Sequence, residues 1–322
     1  MGFADISVFI LRSTLFSAIP LLIVALGGLF SERSGVVNIA LEGLMLIGAF
    51  FGIFTIYYFQ KYTSIDGNML YLIALFVGGI AGVVFSLLHA YASVSMSADQ
   101  VISGTAINIL APAFAIYFAR MLTTTQQIGF TDNFFIESVP VLSAIPVIGP
   151  IFFTKAYIST YIGLIILGAT YYLVYKTRFG LRMRACGENP HAADSAGINI
   201  YKYRYAGVSI SGFLAGIGGV ALIVPTATEF NATVSGFGFL ALAVLIFGQW
   251  KPMYIFFAAL FFGLTRTIST TYVIIPVLNN LNLAGEFYSM IPYVATLIVL
   301  GFTSKNSQGP RAAGEPYDKG KR

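Results

Sequence analysis

Charge is scarce in this chain: Asp, Glu, Lys and Arg make up 10% of its 322 residues, against about one quarter in ordinary soluble domains. Cysteine is scarcer still. Cys186 stands alone, so no internal disulfide can form. The two histidines, His89 and His191, lie far apart without metal-ligating neighbours, and a structural role is expected for both. No G-x-x-x-x-G-K-[ST] string is present to cradle phosphates, and no nucleophile, base and orienting group form a catalytic pattern. The chain is therefore not expected to act as an enzyme, to hydrolyse ATP or to hold a metal or cofactor of its own. Residues 1–20 lack a basic stretch followed by a small-residue cleavage site, so they read as the start of a mature span.

Apolar residues fill the gap. They reach 57% of the sequence, with a mean hydropathy of +0.82, more apolar surface than a soluble core of this size absorbs. Runs of roughly 20 apolar residues, each long enough for a helix to cross about 30 Å of hydrocarbon, recur along the chain. The reading is an all-α fold, a polytopic transmembrane helical bundle of about nine spans, with eight to ten as the range. They fall near 6–30, 37–59, 70–92, 101–120, 157–175, 206–225, 235–250, 252–272 and 288–303, bounded by Gly, Pro, Asn or charge. A broken or re-entrant segment around 93–110 or 225–240 would change the count. Residues 1–303 are read as the membrane domain, with a loop at 176–205, and residues 304–322 as a polar tail.

Basic residues set the orientation because they accumulate on the cytoplasmic side. Lys176, Arg178, Arg182, Arg184, Lys202 and Arg204 flank the 176–205 loop, and Lys305, Arg311, Lys319, Lys321 and Arg322 lie in the tail. Both segments are expected in the cytoplasm, and nine spans then put the N-terminus outside. Asp66, Asp132, Glu137, Glu229 and Glu286 fall in the opposite loops. The net charge of +5 follows from this bias and does not point to nucleic acid. A short echo, SGVVNIAL at 34–41 and SGFGFLAL at 235–242, suggests an inverted repeat, since the two copies open spans separated by an odd number of crossings.

Four segments stand out. In the 176–205 loop, Asn189 can cap a helix whose first residue is Pro190, and Gly197 can close it in the left-handed conformation, giving about two turns. Ala192, Ala193 and Ala196 keep that helix small-surfaced, and His191 and Asp194 offer polar contacts; docking of another protein is favoured over a helix lying on lipid headgroups. In the 37–59 span, Asn38 and Glu42 share one helical face. An acid there costs about 2.5–3.5 kcal/mol on insertion scales, so Glu42 should face the protein interior or a watery path, as a path lining or as a clamp between helices. Between 97 and 114, Gln100, Ser103 and Asn108 fall near one stripe, available either to a polar solute or to helix packing, and Pro112 suggests a kink. Around 236–239, glycines beside Phe237 and Phe239 permit a broken helix and an aromatic pair able to stack on a planar base, although most of the 29 phenylalanines must face lipid or core.

Five strings in order, ERSGVVNIALEGLMLIGAF, ADQVISGTAINIL, SAIPVIGPIFF, GLRMRACGENPHAADSAGINIYKYR and SGFLAGIGGVAL, resemble the permease subunits of ABC importers for branched-chain amino acids, simple sugars and nucleosides, the first two most closely the nucleoside branch. The resemblance spans nearly the whole chain. It implies a second homologous permease, a separate ATPase that uses ATP and Mg, and an extracytoplasmic substrate-binding lipoprotein delivering a nucleoside. It also implies that Gly187, Glu188, Asn189, Pro190, His191, Ala192, Ala193, Asp194 and Gly197 form the coupling helix that seats in the ATPase. One position departs from the family pattern: Leu240 stands where an acidic residue is usual. The rival readings are a simple-sugar ABC permease and an ion-coupled secondary transporter; for the latter, Glu42 is the one clearly intramembrane acid.

Overall fold

The structure is a computed structural model that describes residues 3–131, 133–146, 148–281, 283–303 and 309–320. Asp132, Lys305, Lys321 and Arg322 lie outside the described residues. In chain order the helices are α1 (Phe3–Arg33), α2 (Leu41–Tyr62), α3 (Gly67–Ala90), α4 (Gln100–Thr123), α5 (Ile148–Phe152), α6 (Ile158–Lys176), α7 (Arg178–Glu188), α8 (Pro190–Ser195), α9 (Ile200–Thr226), α10 (Phe237–Phe247), α11 (Pro252–Thr271), α12 (Pro276–Asn279), α13 (Gly285–Ser289) and α14 (Ile291–Thr303). Two small antiparallel pairs add to the all-α expectation. β1 (Ile128–Gly129) pairs with β4 (Glu229–Phe230), and β2 (Phe135–Ser138) with β3 (Thr154–Tyr157).

Among the described residues, seven helices are long and apolar enough to cross a bilayer: α1, α2, α3 with its π-helical extension, α4, α6, α9 and α11 extended to Ile274. The other two expected spans hold shorter apolar helices, so full-length helices do not supply the count of about nine. At 235–250 the hydropathy is high throughout, but the chain stays non-helical over 227–236 and the helix runs only 11 residues, a rise of ~16 Å, half a bilayer core. The expected break around 93–110 is confined to a π-helical turn, Tyr91–Ser95, and a short link to α4. Helix α4 continues through Pro112.

The centre of the bundle is α9, packed on α1, α2 and α3. It gets there because its sequence, SGFLAGIGGVAL, offers backbone instead of side chain along one face. A Cβ placed on Gly48 of α2 would lie 2.2 Å from the Cα of Gly216 in α9. Such contact lets apolar helices associate by van der Waals packing where no hydrophobic force drives them together. Helix α1 is enclosed midway, with Leu21 to Leu26 buried on every side. By contrast α4 turns Ile102 and Ile109 outward, each 70% exposed, as suits a face covered by lipid.

One end of the bundle is basic. It gathers Arg33, α7, α8, the start of α9 and the tail: Arg33 pairs with Glu188 at 3.6 Å, and Arg204 Nη1 donates to the Glu315 carbonyl at 2.9 Å. The strand pairs lie at the other end, where Gln60, near the end of α2, bonds to Thr131.

Candidate functional site

Between α1 and α2 the chain gives up helix over residues 34–40 yet stays buried, with Ser34, Val36, Asn38 and Ala40 inaccessible. Buried backbone outside a helix leaves N–H and C=O groups to be satisfied by side chains. The polar residues singled out in the sequence do this. Gln100 Oε1 accepts from Val37 N at 2.7 Å, and Asn108 accepts from Gly43 N at 2.8 Å while donating to the Ile39 carbonyl at 2.9 Å. Asn38 Nδ2 donates to Ser211 Oγ at 2.8 Å, and its Oδ1 accepts from Ala40 N at 3.1 Å. His89 is buried between Ser103 Oγ, 2.8 Å from Nδ1, and the Val37 carbonyl, 3.1 Å from Nε2. The structure thus brings Asn38, Gln100 and Asn108 together around one non-helical segment, where they hold backbone, with Ser103 joined to it through His89.

Glu42, in the first turn of α2, reaches the half-helix α10. Its two carboxylate oxygens accept from Gly236 N at 2.9 Å and Gly238 N at 2.6 Å. A carboxylate at a helix N-terminus satisfies orphan donors and complements the positive end of the helix dipole. Gly236 sits at φ +78°, a left-handed conformation natural to glycine. Gly238 brings backbone against backbone, since a Cβ there would lie 2.4 Å from Glu42 N and Cα. The far end of α10 is fastened to the same stretch of chain: Trp250 Nε1 donates to Glu32 Oε2 at 2.5 Å, and Arg33 Nη2 donates to the Trp250 carbonyl at 3.0 Å. Residues 32–42 therefore grip both ends of α10.

Above α10 the bundle is hollow. A cavity of about 490 Å³ lies among the first half of α1, the last turns of α9 and α11, and the 227–236 link, with Ser17, Glu229, Asn231, Arg266, Thr267 and Thr270 in its wall. A second, of about 270 Å³, lies between α10, α11 and α14 and is mostly apolar, with Phe239, Leu240 and Tyr293 in its wall. Phe237, Ser235 and Arg266 line both. Phe239 is 50% exposed. Leu240 adds to the apolar wall of the smaller cavity.

At the basic end, α8 forms as its sequence dictates. Asn189 Oδ1 accepts from Ala192 N at 3.0 Å, Pro190 is the first helical residue, and Gly197 takes φ +78°. Gly197 N bonds to the Asp194 carbonyl and Ile198 N to that of Ala193, the paired closure of a Schellman end. Glu188, Asn189, His191, Ala192 and Gly197 face outward, Asp194 is half-buried, and Gly187, Pro190 and Ala193 face inward. Ala193 packs with Cys186, Ile200 and Tyr317, so it belongs to the underside of the helix and not, as the sequence suggested, to its docking surface. The tail is folded onto this underside: Ala312 N donates to the Gly187 carbonyl at 2.9 Å and Gly314 N to that of Gly35 at 3.3 Å. Through Arg33 and Gly35, the tail and the end of α7, which leads directly into α8, meet the 32–42 stretch that holds α10.

Residues 10–300 match the family described as branched-chain amino acid transport system / permease component. The chain belongs to this family of transport permeases. The guanosine ABC transporter permease protein NupQ of Bacillus subtilis is 41% identical over 100% of both chains. The nucleoside ABC transporter permease protein NupC of Lactococcus lactis subsp. cremoris is 39% identical over 97% of both. A further relative from that organism, the nucleoside ABC transporter permease protein NupB, is 23% identical over 77% of this chain and 69% of its own. No solved structure matches. With seven long apolar helices among the described residues, the permease is a multi-pass protein of the cell membrane.

Three parts of the permease escaped the sequence reading. Helix α7 had a signal, Thr177 as a cap accepting from Gly180 N at 3.1 Å and small or apolar residues at 180, 183, 186 and 187. The ordered tail had little signal beyond Tyr317. Arg266 lies in a span and was passed over, although a charge there is costly and marks function by default. Burial of Cys186 beneath α8 pushes its thiol up to about 11, leaving little thiolate at pH 8. Iodoacetamide is expected to spare Cys186 in the folded permease and modify it after denaturation; rapid labelling of the native protein would show that the underside of α8 is open.

Proposed function

We propose that this permease is the pathway-forming subunit of an ATP-driven nucleoside importer. The observation that carries the reading is full-length similarity to permeases named for guanosine and nucleoside transport, joined to a capped helix, α8, that follows the α7 residue Glu188 paired with Arg33, which in turn bonds the far end of the half-helix α10. The partners are a second homologous permease, a separate ATPase that binds ATP and Mg, and a substrate-binding lipoprotein on the far side. Two permeases of the Lactococcus lactis organism resemble this chain, which supports pairing between homologues.

In this reading the basic end lies in the cytoplasm. The seven long helices, α10 and α14 then make nine passages, one of them a half-membrane helix, with the N-terminus outside. The two echoing strings lead into α2 and α10, whose first turns touch through Glu42 and Gly238, as elements related by an inverted repeat would at its centre. Residues 187–197 form the coupling helix. ATP binding closes the ATPase pair and displaces α8; Arg33 carries the displacement to residues 34–42, and the grip of Glu32, Arg33 and Glu42 moves α10 against α14, alternating access to the cavities. Phe237 and Phe239 line this pathway, whereas Asn38, Glu42, Gln100, Ser103 and Asn108 hold the moving segment together. Glu42 is engaged with backbone donors, which weakens the ion-coupled rival.

Co-purification with the products of neighbouring genes and reconstitution into nanodiscs tests the proposal. ATP hydrolysis is expected to rise when nucleoside-loaded lipoprotein is added. Stimulation by a simple sugar instead would reassign the substrate, and accumulation of nucleoside by the isolated chain on an ion gradient alone would overturn the reading.

A further inference from the structure

Arg266 is an unpaired cation in a membrane-spanning helix. Its guanidinium carbon lies 5.6 Å from the centre of the Phe237 ring, and no carboxylate pairs with it among the described residues. The next residue, Thr267, is 1% exposed, lines the larger cavity, and has a buried Oγ1 without a hydrogen-bond partner. A buried hydroxyl left unsatisfied, beside a cation that apolar surroundings make costly, marks a place where a ligand supplies what the protein does not. The two cavities differ in kind. The larger offers Asn231, Thr267 and Thr270, and the smaller offers rings and aliphatic groups. The Phe237–Arg266 stack stands between them.

We propose that Arg266 is a specificity-determining residue that reads the base of a 6-oxopurine nucleoside as it passes from one cavity toward the other; this rests on the nucleoside reading above. A guanidinium only donates, in a planar fork. It therefore needs two adjacent acceptors, and guanine presents them as O6 and N7. Adenine replaces O6 with an amino donor that opposes the fork, and cytosine offers an amino donor on the corresponding edge. The base lies against Phe239, which is 50% exposed in the wall of the smaller cavity, a contact any base can make, while the buried Phe237 ring backs the guanidinium. The ribose hydroxyls meet Thr267, Thr270 and Asn231 in the polar cavity. Glu229, in the same wall, accepts from the N1–H that 6-oxopurines carry. One forked contact on a shared aromatic platform gives selectivity without a grip tight enough to hold the solute.

The test uses the full importer complex in proteoliposomes, with the lipoprotein unchanged and its affinities for guanosine, inosine and adenosine measured separately. Uptake kcat/KM for guanosine and inosine relative to adenosine is compared between wild type, Arg266→Lys and Arg266→Gln. Arg266→Gln is expected to lower the ratio about tenfold, within the range that a bidentate arginine contact discriminates between bases. Arg266→Lys, which keeps the charge but loses the fork, is expected to fall between. An equal loss for all three nucleosides, or an unchanged ratio, in either variant that still co-elutes with its partners would overturn the assignment. If the wild-type complex imports no nucleoside, the underlying reading fails instead.

Discussion

Arginine at Ala192 is expected to separate ATP hydrolysis from uptake, or to release the ATPase altogether, while leaving the permease folded. Ala192 is on the outer face of α8 beside His191, where a long charged side chain prevents close approach of another protein surface. The same change one residue later should act differently. Ala193 is 4% exposed beneath the helix and packs with Cys186, Ile200 and Tyr317, so Ala193→Arg forces an unpaired charge into a packed site and is expected to destabilise the basic end itself. Co-purification of the ATPase, melting temperature and ATP-dependent uptake, measured for both variants, separate the two outcomes. Normal coupling in Ala192→Arg would remove α8 from the docking surface.

The second large effect is expected at Glu42. Glu42→Ala deletes both acceptors that hold Gly236 N and Gly238 N and leaves the start of α10 uncompensated inside the bundle. Losing charge-assisted bonds to buried donors costs about 3 kcal/mol. Melting in detergent should fall accordingly, and uptake should drop by an order of magnitude or more as α10 loses its tie to α2. Glu42→Gln keeps one acceptor oxygen and is expected to be intermediate in both measurements. If Glu42→Gln instead abolished uptake with stability intact, titration of the carboxylate would be part of transport, and the ion-coupled rival would regain support.

What the sequence made legible was local. Asn189, Pro190 and Gly197 specify both ends of α8 within nine residues, and the structure forms that helix with the hydrogen bonds their side chains and conformations favour. The membrane class was equally plain, because apolar runs signal spans without any tertiary context. The partner of Glu42 was not legible: Gly236 lies 194 residues away, and nothing in the sequence near Glu42 says whether its carboxylate meets water, an ion or backbone. For the same reason Asn38, Gln100, Ser103 and Asn108 were read with two uses open, whereas in the fold Asn38, Gln100 and Asn108 bond the backbone around one non-helical stretch and Ser103 reaches it through His89. The broken segment allowed for around 225–240 is present as the non-helical stretch 227–236, whereas the span read at 235–250 holds a helix of only 11 residues, because hydropathy alone does not register where helix begins. Arg266 is different. The cost of a charge in an apolar span was available to read, and its place beside Phe237 required the fold.

Movement of α10 driven from α8 is the claim on which the rest depends, and a distance measurement reaches it directly. In a Cys186→Ser background, spin labels at Phe239→Cys on α10 and Thr124→Cys at the end of α4, both on exposed positions, report the position of the half-helix within the assembled importer. The distance between them is predicted to change by several ångströms between the nucleotide-free and ATP–vanadate-trapped complexes, and to stay fixed when Ala192→Arg is added. An invariant distance in an importer that still carries nucleoside would contradict the account.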